Sequence, residues 1–190
     1  MSYLWGVDYG AKKSGNTAVA ISDGGNILFH QVKKGSDADK WLYELLNEFP
    51  PNLVAIDAPL SLPKGWCGGE GDLFYRKCDC ELKAMSPLFL GGLTARAVHF
   101  KRKLEEKSIA VIECYPKGFV CQLLDGNYPE SGESMDTILN QLPKSSRYKL
   151  VSQPANDHQM DALISLVISI RHFNKQSISF GKSEEGLIWI

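Results

Sequence analysis

Between two short apolar runs the chain places Asp23-Gly24-Gly25-Asn26, a strong hairpin signal. Adjacent glycines accept the positive φ angles that a two-residue turn requires. The runs on either side, residues 17–22 (Thr-Ala-Val-Ala-Ile-Ser) and 27–32 (Ile-Leu-Phe-His-Gln-Val), therefore read as antiparallel partners. Residues 3–8 read as a strand before them, ending in Asp8 and followed by a Gly/Lys/Ser-rich turn from Gly10 to Asn16. A chain that opens with three strands in a meander argues against a doubly wound nucleotide-binding sheet, which alternates strand and helix from its start.

Alternation begins only after the meander. Residues 37–48 carry Trp41, Leu42, Leu45 and Leu46, with Phe49 just after, at helical spacing, and Pro50-Pro51 stops that helix. Residues 53–57 are almost continuously apolar, as a buried parallel strand is. Residues 58–92 are rich in Gly, Pro, Cys and charge, and we expect an irregular insertion with one short helix near Leu73–Lys83. A helix at about 93–107, a strand at 109–114, a short helix at 116–124 and a surface loop at 126–133 follow. Asn156 is a suitable N-cap for a helix running to about His172, apolar almost all round and so buried. The closing Leu187-Ile188-Trp189-Ile190 adds a last strand or docks on the core. With no repeat and no linker, residues 1–190 read as a single domain with an insertion at about 58–92. The order predicts an α/β RNase H-like mixed sheet: an antiparallel three-strand meander followed by parallel strands, flanked by helices.

Four acidic residues stand where these elements end at a common edge. Asp8, Asp57 and Glu113 each close a short apolar run, and Asp161 lies in the first turns of the late helix. Carboxylates are costly to gather without a cation, because each is desolvated beside its like. A converging set predicts a bound hard cation, Mg²⁺ or Mn²⁺, and phosphoryl chemistry. His158 and Asp157 precede Asp161 by three and four residues and can share its face. Each residue also has an ordinary reading: strand-end Asp residues serve in turns, Glu113 can pair with Lys117, and Asp157 suits a helix N-terminus.

Composition narrows the partners. The net charge of −1 over 190 residues gives no global attraction to a polyanion. Nucleic-acid binding would need local groups such as Lys12 and Lys13, Arg76 and Lys77, or Lys101-Arg102-Lys103, each of which is also an ordinary surface charge. No apolar stretch is long enough to span a membrane and no secretion signal opens the chain, so we expect a cytoplasmic protein without a membrane partner. Five cysteines, an odd number, argue against a disulfide framework. Cys67, Cys78 and Cys80 lack the paired hooks of a zinc site, which favours reduced structural thiols.

The motifs, in order, are Gly6-Val7-Asp8-Tyr9-Gly10, Ile56-Asp57-Ala58-Pro59-Leu60-Ser61-Leu62-Pro63, Arg76-Lys77-Cys78-Asp79-Cys80-Glu81-Leu82, Glu113-Cys114-Tyr115-Pro116-Lys117 and Asp157-His158-Gln159-Met160-Asp161-Ala162-Leu163. Together they resemble domain-of-unknown-function family 429, regarded as predicted nucleases of the RNase H-like superfamily. The first strand and the His-x-x-Asp-Ala helix are also similar to Holliday-junction resolvases of that superfamily. That resemblance implies a divalent-metal-dependent hydrolase of phosphodiester bonds acting on DNA or RNA by a two-metal-type reaction. Asp8, Asp57 and Asp161 would be metal ligands and His158 a further catalytic group. Asp57 stands where those resolvases carry Glu, a shorter reach. Lys117 and Arg76 are the expected phosphate contacts, and Asp79 matches the family motif only.

Two other classes compete. Asp8-Tyr9-Gly10 is similar to the phosphate loop of actin-like sugar kinases, but these need two copies of the fold and a second such loop, which this chain lacks. A non-catalytic interaction domain that keeps the fold is the other, with Trp66 and Phe74 in the insertion as its surface.

Overall fold

The computed structural model describes residues 3–128, 135–144 and 148–190. The chain opens with β1 (Tyr3–Asp8), β2 (Ala18–Asp23) and β3 (Asn26–Gln31), then α1 (Ala38–Glu48) and β4 (Pro51–Asp57). Next come α2 (Lys77–Leu82), α3 (Pro87–Leu90), α4 (Gly92–Glu105) and β5 (Ala110–Cys114). The remainder is α5 (Pro116–Leu123), α6 (Met135–Leu139), β6 (Lys149–Leu150), α7 (Asp157–Phe173), β7 (Ser179–Lys182) and β8 (Gly186–Trp189).

Gly24 and Gly25 make the expected two-residue turn at φ of 54° and 96°, with Asp23 paired to Asn26 across it. The β1–β2 and β2–β3 pairs are antiparallel, whereas β4 pairs parallel to β1, β5 to β4 and β8 to β5. The sheet order is β6-β3-β2-β1-β4-β5-β8-β7. This is the predicted mixed sheet, an antiparallel three-strand meander followed by parallel strands.

Alternation along each strand sorts the core into two layers. Trp5, Val7, Val19, Ile21, Val54 and Ile56 pack with Leu42, Leu45 and Leu46 of α1 and with Ala97, Phe100 and Leu104 of α4. Leu4, Ala18, Ala20, Leu53 and Ala55 face α7, whose residues 162–170 are buried. Asn156 caps α7 as expected, its side chain accepting from the Gln159 N–H.

Some elements differ from expectation. The segment after β4 holds two helices rather than one. The second, α3, is four residues long, too short for a periodic pattern, although Ser86-Pro87 at its start is a capping signal: the Ser86 side chain accepts from the Leu88 N–H. The elements α6, β6 and β7 are also short, at five, two and four residues. The tail does add a strand, β8, and β7 folds back on it to complete a hairpin. Of the loop expected at 126–133, only the part through Tyr128 lies within the described residues. No helix among the described residues is long and apolar enough to cross a membrane.

Candidate functional site

Parallel pairing sets Asp8 of β1 directly opposite Asp57 of β4, at the C-terminal ends of both strands. On β1, Gly6 and Asp8 share the face turned to α7. Gly6 is what lets the helix come down on it. A Cβ there would fall inside the backbone of Leu166 and Ala162, so only glycine allows this approach. The contact lays the first turns of α7 over the ends of β1 and β4. His158 and Asp161, three residues apart, thereby reach the same edge as Asp8.

His158 Nδ1 lies 2.7 Å from Asp8 Oδ2. An ionised carboxylate only accepts, so the Nδ1 proton faces Asp8 and Nε2 is left for another partner. Asp161 accepts a hydrogen bond from the Tyr128 hydroxyl, contributed by the segment after α5. Tyr128 carried no sequence signal, since it lies in a polar stretch that reads as surface loop.

The electrostatics are those of crowded anions. Burial, then the charge of Asp161, pushes the Asp8 carboxyl up to about 6, against the opposing bond from His158. Burial, then Asp8 and Asp161, raises Asp57 well above the usual carboxylate range. Burial raises Asp161 too, although Tyr128 and His158 act the other way. Cys114, buried nearby, is pushed up by burial and by Asp57, which makes it an inert thiol. Among the described residues, no Lys or Arg forms an ion pair with Asp8, Asp57 or Asp161.

Asp8, Asp57 and Asp161, the expected metal ligands, come to one edge of the sheet. Among the described residues, no three His, Cys, Asp or Glu side chains form a group that could hold an ion. The physical reason lies in the contacts above: Asp8 is turned to His158 and Asp161 to Tyr128. The donors themselves, three oxygen ligands with little local neutralisation, suit a hard divalent cation.

Glu113 belongs elsewhere. It pairs in register with Ile56, which puts it on the α4 side of the sheet, opposite the Asp57 side chain. There it is buried with Arg76 and Asp79. Arg76 Nη1 donates to Glu113 Oε2 at 2.7 Å and Nη2 to Glu113 Oε1 at 2.6 Å. Nη2 also donates to Asp79 Oδ1 at 2.6 Å, and Nε to Asp79 Oδ2 at 3.0 Å. Nη1 completes the set with Ser61 Oγ at 2.9 Å. A guanidinium has five N–H donors, and all five are engaged. Burial alone would lower the Arg76 pKa, but the bonds and charges of Glu113 and Asp79 raise it. Arg76 is 0 % exposed and has no donor left for a phosphate, so the expected phosphate contact is corrected to a buried ion-pair centre. The Arg76–Asp79 ion pair is buried at both side chains. Glu113 Oε2 also accepts from the Leu60 N–H at 2.8 Å, which ties down the segment leaving Asp57.

Lys117 is exposed in the first turn of α5, just past the end of β5. Asp157 is exposed at the start of α7. Most of the basic groups read as a possible patch have acidic neighbours: Lys12 with Asp37, Lys77 with Glu81, Lys101 with Glu105 and Lys103 with Glu106. A pocket of about 290 Å³ opens between Asp57 and the Arg76 cluster, walled by Pro59, Met85, Leu93 and Tyr115 among others.

No family model matches the chain, and no curated protein matches it either. Among solved structures, the chain is similar to a RuvC structure from Thermus thermophilus, at a TM-score of 0.43 and 15 % identity over 90 % of this chain and 94 % of that one. A likeness of that extent assigns neither activity nor ligand.

Proposed function

We propose that this chain is a divalent-metal-dependent hydrolase of phosphodiester bonds, a nuclease of the RNase H-like kind related to domain-of-unknown-function family 429. The observation that carries the reading is the pairing of Asp8 with Asp57 across adjacent parallel strands, with Asp161 and His158 of α7 laid over them and no Lys or Arg ion pair to neutralise them among the described residues. Raised carboxyl pKa values at one edge are a frequent mark of functional sites.

Asp8, Asp57 and Asp161 would hold Mg²⁺ or Mn²⁺. A bound ion supplies positive charge at a phosphoryl group and lowers the pKa of a water. The protein's own groups do the rest. The Gly6 contact fixes α7, and with it the separation of Asp161 from the strand ends. Asp8 orients the His158 ring, and Nε2 can then take or return a proton at the substrate. Lys117 serves as the phosphate contact, and Asp157 keeps the helix start acidic. The Arg76 cluster holds Leu60, and so the chain just after Asp57, without touching substrate. We take residues 1–190 as one domain and nucleic acid as the partner.

One observation favours a second reading, a non-catalytic domain that retains the fold: the three aspartates do not form a group that could hold an ion. The two readings separate on a single preparation. The purified chain is incubated with single-stranded, duplex and branched DNA and RNA in Mg²⁺ or Mn²⁺, and Mn²⁺ binding is followed by calorimetry. The hydrolase reading expects metal-dependent cleavage that disappears in Asp8→Asn and Asp161→Asn. Cleavage that persists in both variants sinks the assignment of these residues, and absence of Mn²⁺ binding favours the non-catalytic domain.

A further inference from the structure

The pocket beside Asp57 has a chemistry of its own. Its walls are mainly apolar: Pro59 after β4, Met85 and Leu93 from the insertion and α4, and Tyr115 after β5. Its polar groups are Asp57 at one side and the Arg76–Asp79–Glu113 cluster at another. That cluster carries one positive and two negative charges, and Asp57 adds a carboxyl. The lining is therefore acidic when ionised and excludes a phosphate.

The hydrogen-bonding capacity is lopsided. Every Arg76 donor is spent. Each carboxylate has roughly four acceptor sites. Glu113 accepts from the Leu60 N–H and twice from Arg76. Asp79 accepts from the Arg76 backbone N–H, from Nε, from Nη2 and from the Cys78 thiol. One acceptor site remains on Glu113 and none on Asp79. The cluster thus offers one spare acceptor and no spare Arg76 donor, beside a space with a volume of about 290 Å³, the low end for a small-molecule site.

From Met85 outward the surface is apolar and aromatic. Met85 is 59 % exposed. Its neighbour Ser86 donates to the Phe74 carbonyl, which brings Phe74 beside it. Phe74 and Phe89, 47 % and 63 % exposed, stand with ring centroids 5.9 Å apart. Exposed aromatics near an open pocket form a platform on which unpaired bases stack.

We propose that this pocket receives one unstacked, amine-bearing nucleobase of the substrate, with its amino edge toward Glu113, its ring against Tyr115 and its phosphate left outside near Lys117. The proposal rests on the nucleic-acid reading of the neighbouring carboxylates and deepens it: the substrate is an unpaired or extruded nucleotide rather than an uninterrupted duplex. Extrusion of a base into a side pocket is the way proteins read a base edge that stacking hides. The same ring chemistry comes from a free nucleoside or from a base in a strand, and the two are compared directly.

The test uses the full chain in EDTA, so that no result depends on metal or cleavage. Adenosine, thymidine and the tetramers dA4, dC4 and dT4 are titrated by calorimetry, and methyl and aromatic NMR signals are followed in parallel. The expected result is that dA4 and dC4 bind about tenfold more tightly than dT4, the size of one hydrogen bond to a charged acceptor. Shifts should fall on Leu93, Met85 and Tyr115, with adenosine binding more weakly at the same residues. Leu93→Trp, which fills the slot, should weaken dA4 by at least about tenfold. The NMR map on the unaltered protein stands even if that variant does not fold. Equal affinity for dA4 and dT4, shifts confined to other surfaces, or unchanged dA4 binding by folded Leu93→Trp each overturn the pocket. Selective dA4 binding in a protein that never cleaves would keep the pocket and remove the hydrolase. Cleavage unaffected by Leu93→Trp would do the reverse.

Discussion

Replacing Asp8 by Asn should make the protein more stable at neutral pH, not less. The folded environment lifts the Asp8 carboxyl from 3.8 to about 6, chiefly by burial and by Asp161. Between these values the native state binds more protons than the unfolded state. Stability therefore falls as pH rises through that window. At about 1.36 kcal/mol per pH unit the ionised side chain costs about 3 kcal/mol above pH 6. The Asp8 side chain is only 15 % exposed, so solvent screening removes little of this. Asn resembles the protonated acid in shape and keeps a polar contact for His158. The variant should gain up to about 3 kcal/mol at pH 7.5 in EDTA, or about 6–12 °C in Tm for a chain of this size. The gain should shrink to about 1 kcal/mol near pH 4.5 and toward zero below about pH 3. Urea unfolding of both proteins at the two pH values measures it. Added Mg²⁺ or Mn²⁺ should narrow the gap by stabilising the unsubstituted protein more. Asp8→Asn equal to or below the parent at pH 7.5 would refute the crowding argument, and the case for a cation would lose its physical basis.

Arg76→Met leaves Asp79 and Glu113 buried without their cation, and should cost about 3–5 kcal/mol in urea unfolding, since breaking a buried pair is worse than replacing it whole. Gly6→Ala drives a methyl into the backbone of α7 and should cost about 3 kcal/mol or more, with any Mn²⁺ affinity lost as His158 and Asp161 move away; calorimetry and thermal melts read both. Lys117→Ala should change stability by less than about 0.5 kcal/mol, yet weaken nucleic-acid binding and reduce its salt slope by about one in a fluorescence titration.

Much of the fold was legible because its signals are local. The Gly24-Gly25 turn, the Pro50-Pro51 stop and the Asn156 cap each act within a few residues, and each appears where expected. The site was legible only in part. Strand ends at Asp8 and Asp57 follow from apolar runs, but which face a strand-end side chain takes depends on register with a neighbour. Glu113 illustrates this: pairing with Ile56 rather than with Asp57 sends it to the other side of the sheet. The fate of Arg76 was hidden for a similar reason. Its partner Asp79 is three residues away, but Glu113 is 37 away, and only their meeting consumes every donor. Tyr128 reaches Asp161 across 33 residues from a stretch without pattern.

The hairpin of β7 and β8 has a consequence for the order in which the molecule is made. Glu185, in its turn, accepts from the backbone N–H groups of Lys64 and Lys77, while Ser61 donates to the Glu185 carbonyl. The β8 strand itself lies against β5. The three meander strands can pair with one another as soon as they leave the ribosome. The segment after Asp57 is completed later, because Glu185, which holds Ser61, Lys64 and Lys77, is encoded more than 100 residues after each of them. Loop closure over that distance comes late in folding. The segment that walls the pocket beside Asp57 is therefore fastened late in folding, and Trp66, Phe74 and Phe89 within it stay exposed even in the folded protein.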